Sequence, residues 1–207
     1  MSSKLVIFDM DGTLIDSMPY WAHLGRNFLA KKGIEAKDGF EEIIDPMTLA
    51  EAAEYMQAEY GIEGSVDEIV AEVMQTIILA YQFEIPPKAG MKLKIKAEKD
   101  AGNTVVLFTT SDEACVKGAM RRTGMLRYFD DIILTDEIGI SKHNPASYIA
   151  VCEKYGVDPQ ETHVYEDALY AIEGAKAAGC YVTAVYDESV KECWQDIVEL
   201  SDEQITF

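Results

Sequence analysis

Leu5-Val6-Ile7-Phe8-Asp9-Met10-Asp11-Gly12-Thr13-Leu14-Ile15-Asp16-Ser17 opens with an unbroken apolar run and stops at two acids and a glycine. A short apolar run bounded by turn residues reads as a buried strand, with Asp9-Met10-Asp11-Gly12 as the polar turn that ends it. Further along, the period changes. From Met18 to about Tyr81 apolar residues recur at helical spacing, in Trp21, Leu24, Phe28 and Leu29, in Leu49, Ala52, Ala53 and Met56, and in Ile69, Val70, Val73, Ile77 and Ile78. That stretch predicts at least three helices and no strand. Pro86-Pro87 with Gly90 then marks a linker.

Beyond the linker, strands and helices alternate. Strands are expected at Thr104 to Phe108, Ile132 to Leu134, His163 to Tyr165 and Tyr181 to Tyr186. Helices are expected at Met91 to Lys99, Asp112 to Thr123, Pro145 to Tyr155, Ala168 to Ala178 and Val190 to Leu200. Such alternation argues for a parallel sheet with helices on both faces. The expected class is therefore α/β, a Rossmann-like parallel sheet core made of residues 1–16 and 88–207, with residues 17–87 inserted after the first strand as an all-helical cap.

Composition narrows the partners. The 207 residues carry 18 Lys+Arg against 37 Asp+Glu, a formal charge of −19. A polyanionic backbone or an anionic bilayer is repelled by such a surface, so neither nucleic acid nor membrane is an expected partner. No apolar run approaches the length of a membrane span. Met1-Ser2-Ser3-Lys4 leads into the first strand with no hydrophobic signal segment, and the expected location is cytoplasmic. Cys115, Cys152, Cys180 and Cys193 form no Cys-x-x-Cys and have no histidine placed to complete a zinc site, so they are expected as reduced, partly buried thiols.

In parallel α/β sheets, ligands bind at the carboxyl ends of the strands. The polar residues at those ends form one chemical set: Asp9 and Asp11, Thr109-Thr110-Ser111, Lys142, and Glu166-Asp167. Carboxylates from separate strands make a hard oxygen site suited to Mg²⁺. The set also holds what phosphoryl transfer from an ester requires. Asp9 is the candidate nucleophile. Asp11, two positions on, is the candidate acid and base, Thr109 a hydroxyl donor and Lys142 a compact positive charge. Thr110, Ser111 and Trp21, which follows the acidic loop, are candidate substrate contacts. Tyr20, Tyr55, Tyr60 and Tyr81 are expected as packing residues of the helical insertion. His23, His143 and His163 are given no catalytic role.

Phe8 to Ser17 resembles the first signature of the haloacid dehalogenase superfamily, in its helical-cap subfamily of phosphoglycolate phosphatases, small sugar phosphatases and β-phosphoglucomutases. Val105 to Thr110 resembles the second motif, Lys142 with Pro145 the third, and Val164-Tyr165-Glu166-Asp167 the fourth. The resemblance implies an aspartyl-phosphate on Asp9, acid/base work by Asp11, phosphate contact by Thr109 and charge neutralisation by Lys142. It also implies Mg²⁺ held by Asp9, the Asp11 carbonyl and Asp167, with Glu166 a further candidate. The substrate it implies is a small phosphorylated metabolite. Mutase-like transfer uses the same core, and a non-enzymatic phospho-acceptor domain gathers similar residues. The insertion and Asp11 argue against the acceptor domain. Against the mutase stands the cap. Trp21 falls where β-phosphoglucomutases place a histidine, Ile44 to Leu49 has no arginine, and residues 17–88 hold 5 Lys+Arg against 13 Asp+Glu.

Overall fold

The computed structural model describes residues 4–207; the first three residues of the expected amino-terminal reading lie outside it. Its centre is a six-stranded sheet. The strands are β1 (Leu5–Phe8), β2 (Thr104–Thr109), β3 (Asp131–Leu134), β4 (Thr162–Glu166), β5 (Tyr181–Val185) and β6 (Glu203–Ile205). They run parallel in the order β3-β2-β1-β4-β5-β6. The order reverses between β1 and β4, which opens a crevice at their carboxyl ends.

β1 is buried on both faces. Val6 and Phe8 join Val105 and Leu107 in one core, while Leu5 and Ile7 join Val106 and Phe108 in the other. This two-sided burial explains a strand that is apolar at every position. Phe8 is in register with Leu107 and with Tyr165, and the Asp9 amide donates to the Tyr165 carbonyl at 2.9 Å. Asp9 and Glu166 thereby leave the sheet at the same level.

Between β1 and the linker lie α1 (Met18–Ala22), α2 (Leu24–Lys31), α3 (Phe40–Ile44), α4 (Leu49–Tyr60) and α5 (Val66–Phe83). The two longest begin with reciprocal capping boxes, Thr48 with Glu51 and Ser65 with Glu68, which satisfy the first orphan amides. α1 and α3 have five residues each, too short to show a repeated helical period in sequence. The core helices are α6 (Met91–Asp100), α7 (Glu113–Thr123), α8 (Thr135–Ile138), α9 (Pro145–Tyr155), α10 (Leu169–Ala178) and α11 (Trp194–Leu200). None among the described residues is long and apolar enough to cross a membrane. All four cysteines are free, three of them buried.

The carboxyl terminus departs from expectation. The helix expected from Val190 starts only at Trp194, after a 3₁₀ turn at Glu188–Val190 that the Asp187 side chain caps. β6 was not anticipated, because Glu203-Gln204-Ile205 is a short, mostly exposed edge without an apolar run.

The two crossings between sheet and helical segment run side by side. The Asp16 amide donates to the Pro86 carbonyl and the Lys88 amide to the Leu14 carbonyl, each at 2.9 Å. Lys88, which in sequence reads as part of a linker, is buried. Its ammonium sits 2.6 Å from Asp187 Oδ2 and donates to the Tyr186 carbonyl at 2.7 Å. Removing one partner of a buried pair strands the other charge, at a cost of about 3–5 kcal/mol. Lys88→Met is therefore expected to lose about that much in urea denaturation, and Lys88→Met with Asp187→Leu to recover most of it. A single variant within about 1 kcal/mol of the parent would contradict the assignment.

Candidate active site

The crevice gathers the ends of β1, β2 and β4 around one lysine. Lys142 is 2% exposed, and its ammonium donates to Asp9 Oδ1 and, at 2.8 Å, to Glu166 Oε1. It arrives from the loop between α8 and α9. Asn144 caps α9 by accepting from the Ala146 amide at 3.0 Å, and Pro145 takes the first helical position. The loop rests on α10 at Gly174, where any Cβ would collide with the Lys142 carbonyl. The Phe108 ring lies 5.2 Å from the ammonium. The Glu166 Oε2 atom accepts from the Asp167 amide at 2.8 Å and the Ala168 amide at 3.3 Å, and Asp167 Oδ1 accepts from Thr13 Oγ1 at 2.8 Å.

Asp9, Glu166 and Asp167 each offer an oxygen within 4.8 Å of the others, all buried. Burial, then the Glu166 charge, pushes the Asp9 carboxyl up to about 8, against the pull of Lys142. Burial, Glu166 and Asp9 likewise hold Asp167 well above the usual carboxylate range. Burial works against the Lys142 ammonium, but Asp9 and Glu166 outweigh it and keep it firmly charged. Three buried carboxylates face one ammonium, and the uncompensated charge makes an all-oxygen site suited to a hard divalent cation. The Asp11 carboxylate is not part of this cluster; only its backbone carbonyl is left for the ligand role the resemblance gives it.

Asp11 instead turns toward the helical segment. Its Oδ1 accepts from Ser17 Oγ at 2.6 Å and from the Tyr81 hydroxyl, and its Oδ2 from Ser111 Oγ at 2.5 Å. Trp21 Nε1 donates to the Tyr81 hydroxyl at 2.8 Å. Tyr81 is the candidate site residue that the sequence reading missed, since an aromatic at helical spacing reads as packing. Its only local signal is its place in the last turn of α5, just before the linker.

A cavity of about 770 Å³ opens over the site and is lined by Asp9, Asp11, Trp21, Thr110, Ser111 and Asp167, among others. Glu166 also reaches it. Thr109 and Lys142 are outside that lining; Thr109 is fully buried behind it, with its Oγ1 accepting from the Ser111 amide at 3.1 Å.

The description "haloacid dehalogenase-like hydrolase" matches residues 3–179, and the chain belongs to that family. It is 24% identical over 176 residues to the phosphorylated carbohydrates phosphatase of Thermotoga maritima, covering 85% of this chain and 82% of that protein. It is 25% identical over 204 residues to the phosphoglycolate phosphatase of Thiobacillus denitrificans, covering 88% and 82%. Among solved structures, a β-phosphoglucomutase-type protein of Thermotoga maritima shares the fold, with a TM-score of 0.84, 21% identity and coverage of 98% and 94%.

Gly12 shows how tightly the loop is built. It has φ +79, and a Cβ there would overlap the Asp167 carboxylate. Gly33 has nearly the same φ, +76, with nothing within 4 Å of its Cβ position. Gly33→Ala is expected to cost about 1–2 kcal/mol, the left-handed backbone penalty alone. Gly12→Ala should exceed it by about 1–3 kcal/mol in urea denaturation, because the crowded carboxylate must also move. Equal losses would contradict this packing.

Proposed function

We propose that the protein is a Mg²⁺-dependent phosphatase of small phosphomonoesters, with Asp9 as the phosphoryl acceptor. The observation that carries this reading is the pairing of two aspartates in opposite settings. Asp9 sits in the buried oxygen cluster against Lys142, while Asp11 stands at the cavity mouth among hydroxyl donors. Two of the proteins named above, those of Thermotoga maritima and Thiobacillus denitrificans matched by sequence, are phosphatases, which supports the same chemistry. In this reading residues 1–16 and 88–207 are the catalytic core and 17–87 the cap.

Lys142 holds one oxygen of Asp9, which leaves the other to attack phosphorus. As that bond forms, the ester P–O bond breaks and Asp11 delivers a proton to the departing oxygen. Water then attacks the phosphoryl group on Asp9, Asp11 takes its proton, phosphate leaves and Asp9 is restored. Thr109, buried behind the lining, accepts from the Ser111 amide and so positions the end of β2 beside the phosphate. Lys142 offsets charge on the same side. Thr110 and Ser111 contact substrate at the mouth, and Trp21 provides a wall for the leaving group. Asp9, Asp167 and the Asp11 carbonyl would hold Mg²⁺, with Glu166 completing the oxygen cluster while it anchors Lys142; the ion supplies positive charge to the transferring phosphoryl group.

Phosphate release from p-nitrophenyl phosphate is expected to need Mg²⁺, to stop with EDTA and to vanish in Asp9→Asn. Full turnover by that variant would sink the mechanism. Asp11→Asn keeps shape but cannot trade a proton, so alkyl esters should slow by about 10²–10⁴. In single-turnover phosphorylation the nitrophenyl ester should lose much less, because its leaving group needs little protonation. Equal losses for both esters would remove Asp11 as the acid.

A further inference from the structure

The cavity is far larger than a phosphate group, so its outer lining selects the alcohol that leaves. Two carboxylates stand there apart from the catalytic set, Asp112 before α7 and Glu173 on α10. Both are exposed. Neither has an ion pair among the described residues. Two aromatic side chains, Trp21 and Tyr170, line the same space. No lysine, arginine or histidine lines it among the described residues.

Several cations on neighbouring elements are already engaged. Arg26, the one arginine of the helical segment, is 2.5 Å from Glu41 and also donates to the Ala36 and Lys37 carbonyls. Lys88 is bound to Asp187, Lys117 to Glu113 and Lys191 to Glu188. His143 is exposed and stacks against Tyr170 with ring centroids 6.3 Å apart, outside the lining.

We propose that the enzyme prefers phosphomonoesters whose alcohol carries a protonated amine, an amino-alcohol or amino-sugar phosphate, and that Asp112 and Glu173 with the Trp21 and Tyr170 faces recognise the ammonium. The proposal rests on the phosphatase reading and deepens it. An ammonium gains from carboxylates at the rim and from aromatic faces within reach. A second anion on the leaving group, a carboxylate or another phosphate, meets carboxylates and finds no cation in the described lining. The same lining therefore disfavours bisphosphates and phosphorylated acids.

The test compares kcat/KM, by phosphate release with Mg²⁺ at low ionic strength, for 2-aminoethyl, 2-hydroxyethyl and carboxymethyl phosphate. These are close in size and differ in leaving-group charge. The amine is expected to exceed the neutral ester by about tenfold, the combined worth of two exposed ion pairs at the upper end of their usual range. The carboxylate should fall below the neutral ester by a similar factor. In Asp112→Asn with Glu173→Gln the amine-to-neutral ratio should drop toward one, and added salt should lower it in the parent enzyme. Hydrolysis without an amine preference, or a preference untouched by the double substitution, overturns this proposal alone. Failure to hydrolyse any ester, p-nitrophenyl phosphate included, overturns the phosphatase reading and this one with it.

Discussion

One ammonium holds the site together. Lys142 bridges Asp9 and Glu166 in a crevice where Asp167 adds a third buried carboxylate, and all four groups lie almost wholly out of water. Like charges so close raise the titration of Asp9 and Asp167, and Lys142 is the buried cation that offsets them. The central position of β1 brings Asp9 level with Glu166. Asn144 and Pro145 start α9 directly after the lysine, and Gly174 lets the lysine loop settle on α10. Behind the ammonium, Tyr148 is fully buried, and its hydroxyl is the one such side-chain oxygen among the described residues with no hydrogen-bond partner.

The helical segment does more than cover the crevice. Tyr81 on α5 and Ser17 before α1 both donate to Asp11, and Trp21 on α1 donates to Tyr81. The orientation of Asp11 thus depends on the same segment that shapes the space for the leaving group. α5 also packs closely on α7, where Gly118 leaves room for Gln82; a Cβ there would come 2.8 Å from the Gln82 side chain. Lys88 anchors the return crossing to the loop that leads to Ser189, Val190 and Cys193 on the cavity wall.

What the sequence made legible follows from local signals. An all-apolar strand that ends in Asp9 and Asp11, strand ends that supply Thr109 and Glu166-Asp167, and a lone lysine before Pro145 are all short-range patterns, and the structure gathers them at one crevice. What stayed hidden depends on partners distant in the chain. Tyr81 meets Asp11 across 70 residues, and Lys88 finds Asp187 across 99. The first looks like packing and the second like linker chemistry until the fold brings the partners together. Gly174 lies inside α10, and its missing side chain is what admits the lysine loop. β6 carries too few apolar residues to announce itself.

The central claim is that Asp9 becomes covalently phosphorylated. No lysine or arginine lies between Lys4 and Arg26, so trypsin releases Leu5–Arg26 as one peptide containing Asp9. A single turnover of a phosphomonoester with Mg²⁺, quenched in acid on the millisecond timescale and digested briefly at mildly acidic pH, where an acyl phosphate survives, tests the claim by mass spectrometry. The account predicts that this peptide transiently gains the mass of one phosphoryl group, that fragmentation places the group on Asp9, and that alkali removes it. Turnover with no phosphorylated peptide at any quench time, or with the group on another residue, would contradict it.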